Sequence, residues 1–113
     1  MEISFDHLDA PFSCVRLNGK LDAPGADRIG TRFTAAVASR GLPAIVDLSG
    51  VTLLTSMGIR LLVSTARALS HKGATMVLFG AQPLVREGLQ HTALDQIIAL
   101  AETESQAIEL ISA

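Results

Sequence analysis

The chain has 113 residues, of which 49% are hydrophobic, with nine Lys and Arg against eleven Asp and Glu. This length and a mean hydropathy of +0.41 predict one domain with its own core and exclude an intrinsically disordered chain. A net charge of −2 without any run of Lys or Arg argues against a nucleic-acid partner. No apolar segment approaches the roughly 20 residues that span a bilayer, which argues against a membrane location.

Hydrophobic periodicity predicts strands that alternate with helices. In chain order the predicted elements are strands at 3–5 and 12–18, a helix from 24 to 40, a strand at 42–46, a helix at 56–72, a strand at 75–79, a helix from 83, a strand at 97–100 and a last helix after 103. Gly19 and Asp47 are expected to end the strands before them, because both residue types favour turns. This order predicts an α/β fold with a mostly parallel central sheet, an antiparallel edge at the N-terminus and about four helices.

The helix predicted at 56–72 has the clearest pattern. Its apolar face holds Ile59, Leu62, Val63, Ala66 and Leu69. Its opposite face is polar and holds Arg60, Ser64, Arg67 and His71. Ser56 extends this polar face by one turn, so we expect its side chain to face solvent. Thr55 and Ser56 also lie at the N-terminus of this helix, where unpaired N–H groups and the positive end of the helix dipole tolerate a phosphate.

Two other interpretations of Ser56 are an ordinary helix cap and an enzyme nucleophile. The nucleophile elbow has the pattern Gly-x-Ser-x-Gly, but Leu54 stands where the first glycine is required, and no acid is placed to orient His91. The sequence has no phosphate-binding glycine-rich loop, and His7, His71 and His91 lack the spacing of metal ligands. We therefore predict no enzyme, no catalytic residue, no cofactor and no metal site.

The N-terminus and the cysteine content indicate a cellular compartment. Cys14 is the only cysteine, so the chain has no internal disulfide, and a small buried core residue is the expected role of Cys14. The first residues lack the basic region and long apolar run of a signal peptide. These features predict a reduced, cytoplasmic protein.

The segment Asp47-Leu-Ser-Gly-Val-Thr-Leu-Leu-Thr-Ser-Met-Gly-Ile59 resembles the phosphoacceptor segment of STAS domains, the anti-sigma factor antagonist family. Weaker matches are Leu17-Asn-Gly-Lys-Leu-Asp22, Gly80-Ala-Gln-Pro-Leu-Val85 and the Leu-Asp-Gln-Ile97 stretch. The resemblance implies one STAS-like domain over residues 1–113.

In this family a Ser or Thr at the position of Ser56 is phosphorylated by a partner kinase, so the resemblance implies that Ser56 is the phosphoacceptor. Many members carry Asp directly before the acceptor and a second Ser directly after it, whereas this chain has Thr55 and Met57. Thr55 is therefore the less favoured candidate for the modified hydroxyl.

The resemblance further implies an anti-sigma factor antagonist in a partner switch. The unphosphorylated form binds an anti-sigma factor with ATP-dependent serine kinase activity and frees the sigma factor. Phosphorylation ends that binding and a phosphatase restores it. Arg60 joins the site because it lies one helical turn after Ser56 and can reach a phosphate there. The expected partner-binding residues are Asp22, Thr55, Ser56, Met57, Gly58 and Arg60, and the oligomeric state stays open.

Two alternatives keep the same fold. Some STAS-like proteins are structural subunits of stress-sensing assemblies or accessory subunits of lipid transporters. Alternatively, the domain binds a small ligand in the cleft at the carboxyl ends of its strands. An exposed Ser56 favours the phosphorylation switch, whereas a deep apolar pocket at that cleft favours the ligand-binding module.

Overall fold

A computed structural model of the chain describes residues 1–6, 11–92, 94 and 97–112. Within this part, strands and helices follow one another as β1 (Glu2–Asp6), β2 (Ser13–Leu21), α1 (Ala23–Arg40), β3 (Ala44–Leu54), α2 (Ser56–Ser70), β4 (Met76–Phe79), α3 (Pro83–His91), β5 (Ala99–Ala101) and α4 (Glu104–Ser112). His7 and part of the Leu-Asp-Gln-Ile97 stretch lie outside the described residues.

The five strands form one sheet in the order β1-β2-β3-β4-β5. β1 is antiparallel to β2, and every other neighbouring pair is parallel. The predicted α/β class, with its antiparallel N-terminal edge, is therefore confirmed. Parallel neighbours require a crossover between strands, and α1, α2 and α3 provide those crossovers.

Helices cover both faces of the sheet. One face packs against α1, α2 and α3, and its buried core contains mainly Val15, Leu17, Phe33, Val46, Leu48, Leu62, Leu69, Leu78 and Leu89. The other face packs against α4, around Cys14, Ile45, Val77, Phe79 and Ala107. Cys14 is 1% exposed, as expected for a small core residue. No helix in the described part of the chain is long and apolar enough to cross a membrane.

The strand predicted at residues 42–46 runs on to Leu54, so its predicted end at Asp47 and the turn after it are wrong. β2 likewise continues past Gly19 to Leu21. The extensions pair with each other, and Leu21 lies opposite Leu54. Polar and glycine residues that favour turns in isolation are thus held extended by hydrogen bonds from a distant strand. The pairing of β2 with β3 contains two register shifts, where a β-bulge or a similar irregularity interrupts it.

The last helix begins as predicted, with a capping box at residues 103–106. The Gln106 N–H donates to Thr103 Oγ1 at 3.2 Å, and the Gln106 side chain accepts from the Glu102 N–H at 2.9 Å. In the usual capping box the second bond comes from the N–H of the cap residue, here Thr103, whereas in this chain it comes from the N–H of Glu102. Both bonds satisfy backbone groups at the helix start and fix where α4 meets the sheet.

Candidate functional site at the start of helix α2

The start of α2 is attached to the end of β2. The Leu21 carbonyl accepts a hydrogen bond from the Thr55 N–H at 3.1 Å and a longer one from the Thr55 hydroxyl at 3.4 Å. Thr55 is the N-cap residue of α2, but its side chain makes no capping hydrogen bond to the helix. Because β2 and β3 are parallel and end together, the starts of α1 and α2 lie at the same edge of the sheet.

Gly58 permits this close approach. It is buried, and a Cβ atom there would press against the Leu21 carbonyl, at 2.7 Å from Leu21 Cγ and 3.0 Å from Leu54 Cδ1. A role of Gly58 in partner binding stays a prediction, and its buried position gives it a structural contribution. It lets the first turn of α2 pack onto β2 and thereby positions the residues around it.

Asp22 is the N-cap residue of α1. Its Oδ1 accepts a hydrogen bond from the Gly25 N–H at 2.9 Å, which satisfies one of the unpaired donors of that helix. Asp22 follows Leu21 directly, so its half-buried side chain lies at the same sheet edge as Thr55. One of its carboxylate oxygens caps α1, and this capping alone explains an acidic residue at position 22, whether or not a binding partner contacts it.

Ser56, Met57 and Arg60 form the exposed part of the site. Within the described residues, the Ser56 hydroxyl and the Arg60 guanidinium make no hydrogen bond or ion pair, and Met57 is 40% exposed. The first intrahelical hydrogen bond runs from the Ile59 N–H to the Thr55 carbonyl at 3.0 Å, so the backbone N–H groups of residues 56–58 precede it. A phosphate on Ser56 would therefore lie among helix N-terminal donors and in solvent.

The two candidate hydroxyls differ in accessibility. Thr55 is half-buried and its hydroxyl points to the Leu21 carbonyl, whereas Ser56 is exposed and its hydroxyl is unbonded within the described chain. The Ser56 oxygen can be reached without breaking a contact of the strand–helix junction, whereas the Thr55 oxygen cannot. The geometry therefore makes Ser56 the more accessible hydroxyl.

The rest of α2 follows the predicted pattern with one shift. Its polar side chains at 60, 64, 67 and 71 are exposed, as expected. The buried face is centred on Gly58, Leu62, Thr65 and Leu69, while Ile59, Val63 and Ala66 are half-buried along one flank. Thr65 was not expected in the core. Its hydroxyl lies 3.0 Å from the Thr34 hydroxyl of α1, and this hydrogen bond compensates its burial.

Two further exposed apolar side chains, at positions 53 and 84, lie at the same end of the sheet. Leu53 is 43% exposed near the end of β3, and Leu84 is 81% exposed at the start of α3. The sequence feature that could have indicated an exposed Leu84 is its position directly after the helix-starting Pro83, in the first turn of α3. These side chains add apolar surface to the edge that carries Ser56.

Asp47 belongs to an ion-pair network on the α4 side of the sheet. Its Oδ2 accepts from Arg16 at 2.6 Å, and Arg16 also donates to Glu104 Oε1 at 2.7 Å. Its Oδ1 accepts from the Ser49 N–H at 2.8 Å. Burial of the Asp47 carboxyl opposes ionisation, but the hydrogen bonds from Ser49 and the hydrogen bond and charge of Arg16 outweigh it, so the pKa of Asp47 lies below its ordinary value. The network joins β2, β3 and α4.

Asp47→Asn should lower the free energy of unfolding by about 1 to 2 kcal/mol at neutral pH. The loss is moderate because the Arg16 side chain is 33% exposed and keeps Glu104. A lowered folded pKa gives stability that is present above the unfolded pKa of about 3.9 and lost as the pH falls through the folded pKa. The difference between variant and wild type should therefore shrink as the pH falls and the Asp47 carboxyl becomes protonated.

Urea unfolding at neutral pH and at about pH 3 measures this difference. The matched control is Glu109→Gln, which removes an exposed carboxylate that has no ion pair within the described chain. A difference for Asp47→Asn that stays constant with pH would contradict a role for its charge.

Comparison with known proteins identifies the family. Residues 5–107 match the family model of the STAS domain. The chain belongs to the STAS domain family. The expectation drawn from the segment between Asp47 and Ile59 is therefore confirmed at the level of the family.

Individual relatives of this STAS domain agree with that assignment. An anti-sigma F factor antagonist of Lysinibacillus sphaericus is 28% identical over 98 residues, which are 86% of this chain and 83% of the relative. The structure of an anti-sigma factor antagonist from Mycobacterium paratuberculosis is 25% identical, with 99% and 96% of the two chains covered and a TM-score of 0.83. The phosphorylated form of the Bacillus cell fate determinant SpoIIAA shares the fold at 20% identity, with 97% and 99% covered and a TM-score of 0.70.

Proposed function

We propose that this STAS domain is an anti-sigma factor antagonist whose binding to an anti-sigma factor is controlled by phosphorylation of Ser56. The observation that carries the proposal is the exposed Ser56 hydroxyl, unbonded within the described chain, at the N-terminus of α2. The relative named an anti-sigma F factor antagonist supports the choice of partner. The proposed setting is the cytoplasm, where the partner kinase has access to ATP.

The unphosphorylated protein binds the anti-sigma factor, which then releases its sigma factor. In the complex, the Ser56 Oγ attacks the γ-phosphorus of ATP that is bound to the anti-sigma factor. An O–P bond forms, ADP leaves, and the hydroxyl proton passes to a base of the kinase. A phosphatase reverses the change by transferring the phosphoryl group to water, which restores the serine hydroxyl.

The added group changes the contact surface far more than the fold. Phosphorylation adds about −1.5 to −2 charges at neutral pH, beside Met57 and one helical turn from Arg60. Helix N-terminal donors and solvent accommodate that charge, so the domain stays folded. In a docked interface the same charge must be desolvated or repelled, and a loss of about 3 kcal/mol weakens binding over a hundredfold.

A small-ligand function has less support. A cavity of about 550 Å³ lies between β1, β2 and α1, lined in part by Ile3, Phe5, Val15 and Val37. It lies toward the start of β2 and the end of α1, away from the carboxyl ends of β2 and β3 and from Ser56. It therefore does not occupy the strand-end cleft that the ligand-binding alternative requires.

Ser56→Asp tests the proposed switch by binding. A carboxylate carries less charge than a phosphate, so we expect binding to the anti-sigma kinase to weaken roughly tenfold, equivalent to about 1.4 kcal/mol. Thermal stability should change by about 1 kcal/mol or less, because a carboxylate suits the helix N-terminus. Titration calorimetry with the purified kinase, together with thermal melts, measures both quantities.

Ser64→Asp is the matched control, since it places the same charge on the exposed face of α2 two turns further on. Ser56→Asp should reduce kinase affinity more than Ser64→Asp does. Wild-type affinity for Ser56→Asp, or a large loss of stability in that variant, would argue against the switch.

A further inference from the structure

Charge is unevenly distributed along this chain. All eleven acidic residues lie outside residues 48–86, whereas Arg60, Arg67, Lys72 and Arg86 lie inside that segment. The segment therefore carries four positive charges, while the rest of the chain carries five basic and eleven acidic residues. The modest net charge of −2 conceals this separation. The segment contributes the second half of β3, α2, β4 and the start of α3.

Helix α2 displays part of this positive charge on one surface, the α2 outer row, which we define as Ser56, Arg60, Ser64, Arg67 and His71. All five residues are exposed. The two arginines are two turns apart, which places them about 10 Å from each other along the helix axis. The row borders a shallow depression of about 560 Å³. An extended, positively charged strip thus begins at the proposed phosphorylation site.

The arginines of the α2 outer row have no carboxylate partner within the described residues. Two other arginines are paired within the described residues: Arg16 with Asp47 and Glu104, and Arg86 with Glu102. α2 itself contains no acidic residue. The positive charge of this helix is therefore available to groups outside the chain.

Apolar surface lies directly beside this charge. Ile59 and Val63 are half-buried along one flank of the row, and both line the same depression as Arg60 and Arg67. Nucleic acid is a poor match for this surface. A phosphate backbone is bound by many closely spaced cations, whereas this surface has two arginines about 10 Å apart and an apolar flank beside them. Carboxylates and apolar side chains on one polypeptide complement both features.

We propose that the α2 outer row is a docking surface for an acidic, amphipathic polypeptide segment. Its carboxylates pair with Arg60 and Arg67, and its apolar side chains contact Ile59 and Val63. The inference rests on the proposed function in one respect: the segment belongs to the anti-sigma factor. This docking surface specifies the chemistry of the partner segment. It also extends the proposed contact about 16 Å along α2, from Ser56 to Arg67.

This surface also explains how one modification at its end would weaken the whole contact. A phosphate on Ser56 lies one turn from Arg60 and can accept a charge-assisted hydrogen bond from its guanidinium. Arg60 is then occupied from within the chain, and the phosphate repels the carboxylates of the partner. Both effects act through charge, so high salt should reduce them.

A peptide titration tests the surface without a kinase. The probe is a capped amphipathic peptide of about 15 Leu and Glu residues, long enough for four helical turns, and the reference peptide has Lys in place of Glu. Backbone amide chemical shifts of the protein report where each peptide binds. The Glu peptide should shift the amides of residues 59–71 and bind more weakly at high salt, and the Lys peptide should not.

Charge-reversal variants decide whether the row is responsible. Arg67→Glu, which lies three turns from Ser56, should weaken Glu-peptide binding at least tenfold. Arg28→Glu makes the same change in net charge at an exposed position of α1 and should stay within twofold of wild type. Ser56→Asp should also weaken binding of the Glu peptide. In a protein that already carries Arg60→Ala, adding Ser56→Asp should weaken binding much less.

Equal losses for Arg67→Glu and Arg28→Glu would overturn the proposal, as would equal binding of the two peptides. Tighter binding of a single-stranded oligonucleotide or of phosphatidylserine vesicles to the same amides would assign the surface to a different class of partner. A negative result in the peptide titration would overturn the docking surface and would not affect the proposed phosphorylation of Ser56. Failure of Ser56 labelling with normal peptide binding would instead reject the proposed switch and leave the surface.

Discussion

Ser56→Ala should abolish phosphate incorporation when the protein is incubated with the proposed anti-sigma kinase and labelled ATP. The substitution removes the acceptor oxygen but no hydrogen bond of the described chain, because the Ser56 hydroxyl makes none. Alanine also suits the first turn of a helix, so α2 should remain intact. Loss of labelling would then reflect the missing hydroxyl. Phosphosite mapping of the wild-type protein identifies the modified residue independently.

Two variants control the labelling experiment. Ser64→Ala removes another exposed serine hydroxyl from the same helix and should be labelled like wild type. Thr55→Val removes the hydroxyl that contacts the Leu21 carbonyl at 3.4 Å, and labelling should persist in that variant. Labelling that survives Ser56→Ala and disappears in Thr55→Val would move the phosphoacceptor to Thr55. That result would require α2 to open at its start, because Thr55 is half-buried.

Gly58→Ala should lower the free energy of unfolding by about 2 to 3 kcal/mol. The new Cβ would press on the Leu21 carbonyl and approach Leu21 Cγ to 2.7 Å. The main obstacle is a backbone carbonyl that also holds Thr55, so the clash cannot be relieved by rotating one flexible side chain. Displacement of the first turn should also slow the labelling of Ser56 by the kinase.

Gly88→Ala is the matched control for this prediction. Gly88 lies inside α3, and a Cβ there meets no atom within 4 Å. Its replacement should raise stability by about 0.5 to 1 kcal/mol, because alanine has the higher helix propensity. Urea unfolding of both variants gives the comparison. If both substitutions stabilised the protein equally, the close approach of α2 to β2 would be wrong.

The features that the sequence predicted correctly depend on residues close together in the chain. The 3.6-residue period of α2 placed Ser56 and Arg60 on its exposed face, and the structure agrees. The Thr103 cap, the end of α1 at Gly41 and the alternation of strands with helices are equally local signals. Local periodicity and capping thus determined most of the element order and the exposure of Ser56.

The contacts that hold the site could be predicted only in part, because they join distant residues. Ser49 and Gly50 favour a turn, yet β3 continues through them because β2 supplies hydrogen-bond partners from more than 30 residues away. Thr65 is polar and still lies in the core, since Thr34 of α1 satisfies its hydroxyl. Local propensity does not reveal such partners.

The same distinction separates Ser56 from Thr55. From the sequence, both are small hydroxyl residues at a helix start. The helical period places Ser56 on the polar face, and the family resemblance ranks Ser56 before Thr55. The tertiary structure distinguishes them physically, because the end of β2 brings the Leu21 carbonyl to Thr55 and leaves Ser56 in solvent. The sequence by itself determined the fold class and a hydroxyl at the start of α2. The packing of α2 on β2 decided that Thr55 is the less accessible of the two, because that contact engages the Thr55 hydroxyl and not the Ser56 hydroxyl.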